Sequence, residues 1–302
     1  MLLNLPLDVV NLVLEKMEPK DLLRSRKVCR TLRTTVDKFG VSFWKISCHV
    51  CKDLIYIAFD YDSCQYVSAA NNYGFPTDDE QKRYYGEDFV EIAFQDLKIV
   101  LKHVSRLCFT NDDSIDNTTC FINLLKSEEC IKAQEIEFTR IPFNAVVSIL
   151  PIFDSQALDY MVLLFAKSDP IEQFERITYL DQWKNAKNLR LYVSKLETSM
   201  LNMFHFENFS IGKMSNFPVE MAVKIRDDLI TKSTFHSCSI EFDTSNSNPI
   251  DIAKTFKPEY NGGNKFNFEY SNNLYKFRIK YDFALFILKL RPSHETYSHI
   301  FD

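Results

Sequence analysis

Residues 2–39 read LLNLPLDVVNLVLEKMEPKDLLRSRKVCRTLRTTVDKF, and the rest of the chain is organised around this stretch. Its first apolar residues recur at helical spacing and so share one face of a helix; they are Val10, Val13, Leu14 and Met17. Pro19 predicts the end of this helix, because proline pushes the residue before it out of the α conformation. A second short helix is expected to start near Leu22.

A third helix is predicted by Val28, Leu32 and Val36, which recur every four residues. Basic residues recur every three and keep one side in water; they are Arg24, Lys27, Arg30 and Arg33. Val9 and Leu12 form a second apolar strip on the first helix. Three short helices in about forty residues cannot bury an adequate core alone. The surplus apolar strip therefore predicts a protein partner.

The composition is that of an ordered globular protein, since 46% of the 302 residues are hydrophobic and 14% are aromatic. Charge is uneven: residues 1–47 carry a formal charge of +4, whereas the remainder carries −9. A basic head on an acidic body favours an acidic protein partner. It argues against nucleic-acid binding, which needs a basic face of several residues that reach phosphates.

The sequence carries no clear secretory or membrane signal. The apolar N-terminal stretch has no basic residues before it, and Asp8 interrupts it. The longest uninterrupted apolar run, 160–166, falls far short of the roughly 20 residues that cross a bilayer. We therefore expect a soluble protein of the cytoplasm, the nucleus or both, neither secreted nor bound to a membrane.

Candidate metal and catalytic residues form no complete set. Cys48, His49, Cys51 and Cys64 are of the types that bind zinc, but no second CxxC or HxxxH pair completes a site, so reduced, buried thiols are favoured. The motifs GxGxxG, GxxxxGKS/T, GxSxG and HExxH do not occur in the sequence. We therefore predict a protein that is not an enzyme, with no catalytic, metal-binding or cofactor-binding residues.

The region after the head begins with an expected hairpin, 54–59 and 65–68, and a segment rich in turn residues, 70–86. A helix is predicted over 88–103. An apolar-x-apolar unit then recurs with starts 20 to 31 residues apart. Its pairs are Leu107/Phe109, Ile136/Phe138, Tyr160/Val162, Leu189/Leu191, Phe209/Ile211 and Ile240/Phe242.

This period is that of a leucine-rich-repeat-like unit of one strand and one helix. Most gaps between the pairs contain a stretch that favours a helix, and these stretches are 117–126, 142–153, 170–186, 195–206 and 218–232. Strict alternation over 266–270 and 275–281 predicts an antiparallel hairpin, with an edge strand or short helix over 283–290. The predicted fold is mixed α/β: a small three-helix head, then an irregular leucine-rich-repeat-like α/β solenoid that the hairpin closes.

The string LPLDVVNLVLEKMEPKDLLRSRKVCRTLR resembles an F-box, the three-helix module that docks on the Skp-family adaptor of cullin-RING ubiquitin ligases. The matching elements are Leu5-Pro6, Val13-Leu14, Met17, Pro19, Asp21-Leu22-Leu23 and Val28-Cys29. Leu32 stands where most F-boxes have Trp. The segment RKVCRTLR is similar to the corresponding segment of nematode F-box proteins that carry an FTH-type domain. The part of the chain that resembles this domain most is DFVEIAFQDLKIVLKHVSRLCF, at 88–109.

The resemblance implies three regions: an F-box at 1–47, a connecting hairpin and linker at 48–86, and an FTH-type domain at 87–302. It implies a substrate-recognition subunit that binds the Skp-family adaptor and, through it, cullin and RING subunits. The expected adaptor-binding residues are Leu5, Pro6, Val13, Leu14, Leu22, Leu23, Val28, Cys29 and Leu32. The alternative is an interaction scaffold without a link to ubiquitin, whose N-terminal helices cap the solenoid. The exposure of four residues distinguishes the adaptor-binding subunit from the scaffold, because the rest of the chain would cover them if the helices were a cap. They are Val9, Leu12, Val13 and Leu23.

An unknown target protein is expected on the concave face of the sheet. Residues between each buried apolar pair point away from the helices and toward that face. They are Cys108, Glu137, Met161, Arg190, Ser210 and Glu241. This chemical mixture suits a protein or peptide surface better than a phosphate or a metal.

Overall fold

A computed structural model describes residues 7–26, 28–60, 62–69, 82–101, 103–112, 114–165, 174–196, 200–214, 217–242, 248–272, 274–282 and 285–291. The chain divides into two compact units, Met1–Leu158 and Asp159–Asp302. In both units, strands form an open sheet and helices lie in many of the connections between them. The predicted mixed α/β class is confirmed.

The first unit begins with the three predicted helices, which are α1 (Leu7–Leu14), α2 (Pro19–Ser25) and α3 (Arg30–Phe39). Both α1 and α2 pack against α3. Pro19 occupies the first turn of α2, where its missing N–H costs nothing. Cys29 is the N-cap of α3, and its Sγ accepts a hydrogen bond from the backbone N–H of Leu32 at 3.5 Å.

The sheet of the first unit contains β1 (Phe43–Cys51), β2 (Leu54–Phe59), β3 (Asp62–Ser68), β4 (Lys82–Gly86), β5 (Val104–Asp112) and β6 (Glu135–Thr139). Their order is β4-β3-β2-β1-β5-β6. Strand β2 runs antiparallel to β1 and β3, whereas β1, β5 and β6 run parallel. The predicted hairpin of β2 and β3 is confirmed, and it forms part of this sheet. Most of the segment expected to form turns, 70–81, lies outside the described residues, and its last part forms strand β4 instead of a turn.

Helices α4 (Phe89–Leu101), α5 (Ile115–Lys126) and α6 (Phe143–Ile149) belong to the same unit, and a 3-10 turn (Leu150–Ile152) follows α6. The rings of Phe109 on β5 and Phe121 on α5 stack with their centroids 3.6 Å apart. Helix α5 therefore covers the face of β5 that carries Leu107 and Phe109. Arg106 and Cys108 alternate with these residues and lie on the opposite, open face.

The sheet of the second unit contains β7 (Tyr160–Leu164), β8 (Asn188–Leu196), β9 (Asn208–Met214), β10 (Ser237–Phe242), β11 (Phe266–Ser271), β12 (Lys276–Asp282) and β13 (Leu285–Arg291). Strands β7 to β10 run parallel, and every predicted apolar-x-apolar pair of the chain lies on a strand. The predicted hairpin of β11 and β12 is confirmed. Strand β13 pairs antiparallel with both β12 and β10, so the prediction of an edge position for it is wrong.

The helices of the second unit are α7 (Phe174–Thr178), α8 (Asp181–Asn185), α9 (Val219–Lys224), which continues as a π-helical turn (Ile225–Leu229), and α10 (Pro249–Phe256). The helix expected over 195–206 is reduced to a 3-10 turn, Met200–Met203, because β8 extends to residue 196. Trp183 of α8 is buried between Phe174 and Phe206, and both rings meet it edge to face.

The predicted register of β7 is off by one residue. Met161 pairs with Leu189, and Val162 pairs with Arg190. Met161 is 0% exposed and lies on the face that carries Leu189, so the expectation that it points to the open face is wrong. The run 160–166 is apolar at every position, and alternation therefore gives no sign of which side faces the helices.

Polar side chains at the starts of the parallel strands form a hydrogen-bonded ladder. The Asn188 side chain donates to Asp159 at 2.8 Å, and the Asn208 side chain donates to Asn188 at 2.9 Å. The Ser237 hydroxyl donates to Asn208 at 2.8 Å. The ladder joins β8, β9 and β10 and fixes their alignment at one end of the sheet.

Candidate protein-interaction surfaces

The three N-terminal helices expose a set of apolar side chains. Val9 and Leu12 of α1 are 39% and 59% exposed, and Val28 in the turn between α2 and α3 is 73% exposed. By contrast, Val10, Leu14, Leu22 and Val36 are buried. We call the exposed set Val9, Leu12 and Val28 the head patch. The helices thus hold a small core of their own and leave the head patch in contact with water.

The second and third helices also carry ion pairs. Arg26, just after α2, forms a two-pronged pair with Asp37 of α3, in which Nη2 donates to Oδ2 at 3.1 Å. Arg24 pairs with Asp21 at 3.0 Å within α2. Other basic side chains remain exposed, namely Lys16, Arg30, Arg33 and Lys38. The head therefore combines exposed apolar residues with a basic surface.

The connection from α3 to the sheet is short and tightly held. Gly40 has φ of +87°, a conformation that L side chains rarely adopt, and a Cβ there would lie 2.7 Å from His103 Nε2. Val41 is buried, and the Ser42 hydroxyl donates to the His103 carbonyl at 3.0 Å. The head is thereby anchored to the start of β5.

On the open face of the first unit, Glu137 is part of a charged cluster. Arg106 lies 3.1 Å from Glu137 and 3.3 Å from Glu135. Cys108 Sγ lies 3.5 Å from Glu137, and burial raises the pKa of this thiol. The negative charge of Glu137 is thus already balanced by an arginine of the chain.

On the open face of the second unit, β8, β9 and β10 bring Arg190, Ser210 and Ser239 into one row. Arg190 is exposed, and Glu241 lies farther along β10, opposite Leu285 of β13. Ser210 and Ser239, which follow Arg190 in this row, have small side chains with hydroxyl groups.

Two protein-family models match the chain. A model described as the F-box domain matches residues 2–44, and a model described as the FTH domain matches residues 116–259. The chain combines an F-box domain with an FTH domain. It is also similar to F-box A protein 224 of Caenorhabditis elegans, with 23% identity over 294 residues that cover 89% of this chain and 73% of that protein.

The F-box match covers α1, α2, α3 and the start of β1, so the head patch lies within the F-box. The FTH match runs from α5 to just beyond α10. The segment 88–109, in which the sequence resembled an FTH-type domain most, lies before that match. Strands β11, β12 and β13 follow it and lie outside both matches.

The structure places the expected adaptor-binding residues in three different environments. Leu14 and Leu22 are buried in the F-box core, whereas Val28 is exposed. The partly exposed ones are Val13, Leu23, Cys29 and Leu32. Leu5 and Pro6 lie outside the described residues.

Val9 and Leu12 were absent from the expected adaptor set because they fall outside the residues that match the F-box pattern. The signal was nevertheless present in the sequence as the second apolar strip of the first helix. Of the residues expected to bind a target, Arg190 and Ser210 are adjacent, Glu241 lies apart from them, and Met161 is buried.

The candidate zinc ligands of the sequence, Cys48, His49, Cys51 and Cys64, do not point toward a common site. Cys48 and His49 are neighbours on β1 and therefore point to opposite faces of the sheet. Burial raises the pKa of the Cys48 and Cys51 thiols, and nearby Asp112 adds to the effect at Cys51. Among the described residues, no group of three or more His, Cys, Asp or Glu side chains could hold a metal ion. Nor does the described part of the chain contain a helix that is long and apolar enough to cross a membrane.

Proposed function

We propose that this protein is the substrate-recognition subunit of a Skp-cullin-F-box ubiquitin ligase. The F-box binds the Skp-family adaptor, which connects the chain to cullin and RING subunits, and the FTH domain binds a target protein. The observation that carries the proposal is the head patch, which lies in the matched F-box and remains exposed among the residues that the structure describes.

The exposure of the head patch favours an adaptor over a solenoid cap. If the helices were a cap, the sheet would cover the apolar strip of α1, but Leu12 is more than half exposed. Burial of one such side chain in an interface stabilises a complex by roughly 1.5–3 kcal/mol. Leu12 and Val28, together with the partly exposed Val13, Leu23 and Leu32, supply the apolar centre that tight protein interfaces have.

Charge supports a partner of opposite sign. Residues 1–47 carry a formal charge of +4, and the basic side chains of Lys16, Arg30, Arg33 and Lys38 are exposed. An acidic partner would approach this surface faster, and the ion pairs at the rim would help to orient it.

A binding measurement with purified Skp-family adaptor tests the proposal. We expect Leu12→Glu combined with Val28→Glu to weaken adaptor binding by at least about 2 kcal/mol, because two charges would be placed in an apolar interface. Both residues are exposed, so the fold should survive, which circular dichroism would verify.

The matched control is Ile115→Glu on α5. Ile115 is an apolar side chain that is 82% exposed and lies outside the F-box match, so its replacement should leave adaptor binding unchanged. Replacing Leu5 and Pro6 together by Ala is a further probe, with an expected loss of about 2 kcal/mol or more. If the wild-type chain does not bind the adaptor, the ligase role is wrong and the scaffold alternative gains support.

A further inference from the structure

A row of basic side chains occupies one face of the C-terminal strands. On β12, Phe277, Ile279 and Tyr281 are buried, whereas the alternating Lys276, Arg278 and Lys280 are exposed. Phe256 of α10 packs against Phe286 of β13 on the buried side. The basic residues therefore lie on the open face, opposite the helices.

Strand pairing brings like charges together on this face. Arg278 of β12 lies directly opposite Lys289 of β13, and the next pair on this face is Lys280 and Ile287. Like charges in directly opposed positions destabilise a sheet. Glu269 of β11 lies opposite Arg278 on its other side and supplies one negative charge.

Much of the positive charge is not neutralised by other residues that the structure describes. Arg278 Nε donates to the Asn267 side chain at 3.0 Å, which orients it without cancelling its charge. Considering only described residues, Lys276, Lys280 and Lys289 form no ion pair. Asp282, at the end of β12, is instead paired with Lys265 at 2.7 Å. The sheet therefore carries a repulsion that a bound anionic group would relieve.

The basic row continues into a shallow strip across four further strands. Lys280 pairs with Ile287, and Ile287 with Ser239. Ser239 pairs in turn with Ser210, and Ser210 with Arg190. Adjacent strands lie about 4.8 Å apart, so Lys280 and Arg190 are separated by about 19 Å. An extended peptide rises about 3.3 Å per residue and would cross this strip with about six residues.

The centre of the strip suits a peptide backbone. Ser210 and Ser239 are small and half-buried, and their hydroxyl groups make no side-chain hydrogen bond to other described residues. They are therefore available to peptide N–H and C=O groups. Ile287 offers an apolar contact between the two charged ends.

We propose that this strip, from Lys280 and Lys289 to Arg190, binds an extended, Asp/Glu-rich segment of a protein. As the target surface of a ligase, the strip rests on the function proposed above, but its chemistry does not depend on ubiquitin. A nucleic acid fits less well, because it carries a negative charge at every phosphate and so cannot avoid Glu241 and Glu269 on the same face, whereas a peptide can place neutral residues beside them. Strands β12 and β13, which carry the basic end of the strip, lie outside the FTH match.

Fluorescence anisotropy with the full chain tests the proposal. The probe is a labelled ten-residue peptide with acidic residues near both ends and serine between them, and the reference probe has glutamine in place of each acid. We expect Lys280→Glu combined with Lys289→Glu to weaken binding of the acidic peptide at least tenfold. We expect Arg190→Glu alone to weaken it about threefold. The glutamine peptide should bind poorly to every variant.

The matched control is Lys224→Glu combined with Lys254→Glu, two exposed lysines on α9 and α10. This pair changes the net charge by the same amount, and its effect should stay below twofold. Equal losses for the two pairs would show unspecific attraction and overturn the proposal. So would stronger binding of a single-stranded RNA of ten nucleotides than of the acidic peptide.

Adaptor binding of the same variants separates this inference from the ligase proposal. We expect Lys280→Glu with Lys289→Glu to bind the Skp-family adaptor as wild type does, because neither residue lies in the F-box. If the wild-type chain fails to bind the adaptor but still captures the acidic peptide, only the ligase proposal fails. If it binds the adaptor but not the peptide, only the acidic-segment proposal fails.

Discussion

The F-box and the parallel strands β7 to β10 bury their apolar residues in different ways. In the F-box, Leu14 is fully buried while Leu12, on the same short helix, is 59% exposed. Along β7 to β10, both members of nearly every apolar pair are buried, and Trp183 of α8 is buried as well. Single exposed apolar residues also occur elsewhere, as at Ile115 and Leu274, but the apolar pairs of β7 to β10 are covered within their unit, whereas the short F-box helices leave several apolar residues uncovered.

The largest expected effect concerns the completed core. Trp183→Ala would remove a buried ring and its Nε1 hydrogen bond to the Asn202 carbonyl, so we expect a loss of about 3–5 kcal/mol in the free energy of unfolding. Urea denaturation followed by circular dichroism measures it. Val28→Ala in the head patch should cost less than about 0.5 kcal/mol. Similar losses for both variants would mean that Val28 contributes to the folded core as Trp183 does.

Two leucines on α1 test the difference between buried and exposed apolar residues within the F-box itself. Leu14→Ala should lower the free energy of unfolding by about 2–4 kcal/mol, because it leaves a cavity. Leu12→Ala should change it by less than about 0.5 kcal/mol and weaken adaptor binding instead. Denaturation and adaptor titration on the same two proteins provide the measurement. If Leu12→Ala lost stability and retained binding, the head patch would be part of the core.

The hydrogen-bonded ladder predicts a smaller loss in the second unit. Asn208→Ala removes the bonds to Asn188 and Ser237, and we expect a decrease of about 1–2 kcal/mol in unfolding free energy. Asn185→Ala on α8 is the control, since Asn185 is exposed. Equal unfolding curves for the two variants would mean that the ladder contributes nothing to stability.

The smallest expected effect lies at the junction between the F-box and the sheet. Gly40→Ala should cost about 1 kcal/mol, because alanine is strained at positive φ and its Cβ would crowd His103. Gly263→Ala is the control, since a Cβ at that glycine meets nothing within 4 Å. Thermal unfolding of both variants checks the difference. A gain in stability for Gly40→Ala would contradict the tight connection described here.

The sequence predicted those parts of the fold in which one periodicity dominates. The presence of three head helices and the hairpin of β11 and β12 was predicted correctly, because one face of each is apolar and the other polar. The helix limits were less accurate, since α2 begins at Pro19 instead of near Leu22, and Val28 lies before α3. The register of β7 was not, since Met161 and Val162 are both apolar and both buried, and only pairing with β8 distinguishes them. The edge prediction for β13 failed because strand order depends on long-range pairing, which sequence alternation does not encode.

The candidate surfaces were predicted unevenly for similar reasons. An exposed apolar surface on the head was predicted because three short helices have more apolar residues than they can bury. The basic row was missed, although Lys276, Arg278 and Lys280 fill the gaps of the recognised aromatic alternation. That these side chains face Lys289 depends on the pairing of β12 with β13, which only the structure provides. The ladder left a weaker signal, an Asn just before the apolar pairs of β8 and β9.

The ladder from Asp159 to Ser237 also bears on how the second unit tolerates change in length. Its contacts hold the strands in register at their first residues, before the connections that follow them. A connection can then lengthen or shorten without sliding its strand against the next one. The repeats of this chain, whose starts are 20 to 31 residues apart, already differ in this way. Insertions between the end of one strand and the Asn of the next are therefore the changes that such a sheet absorbs most easily as sequences diverge.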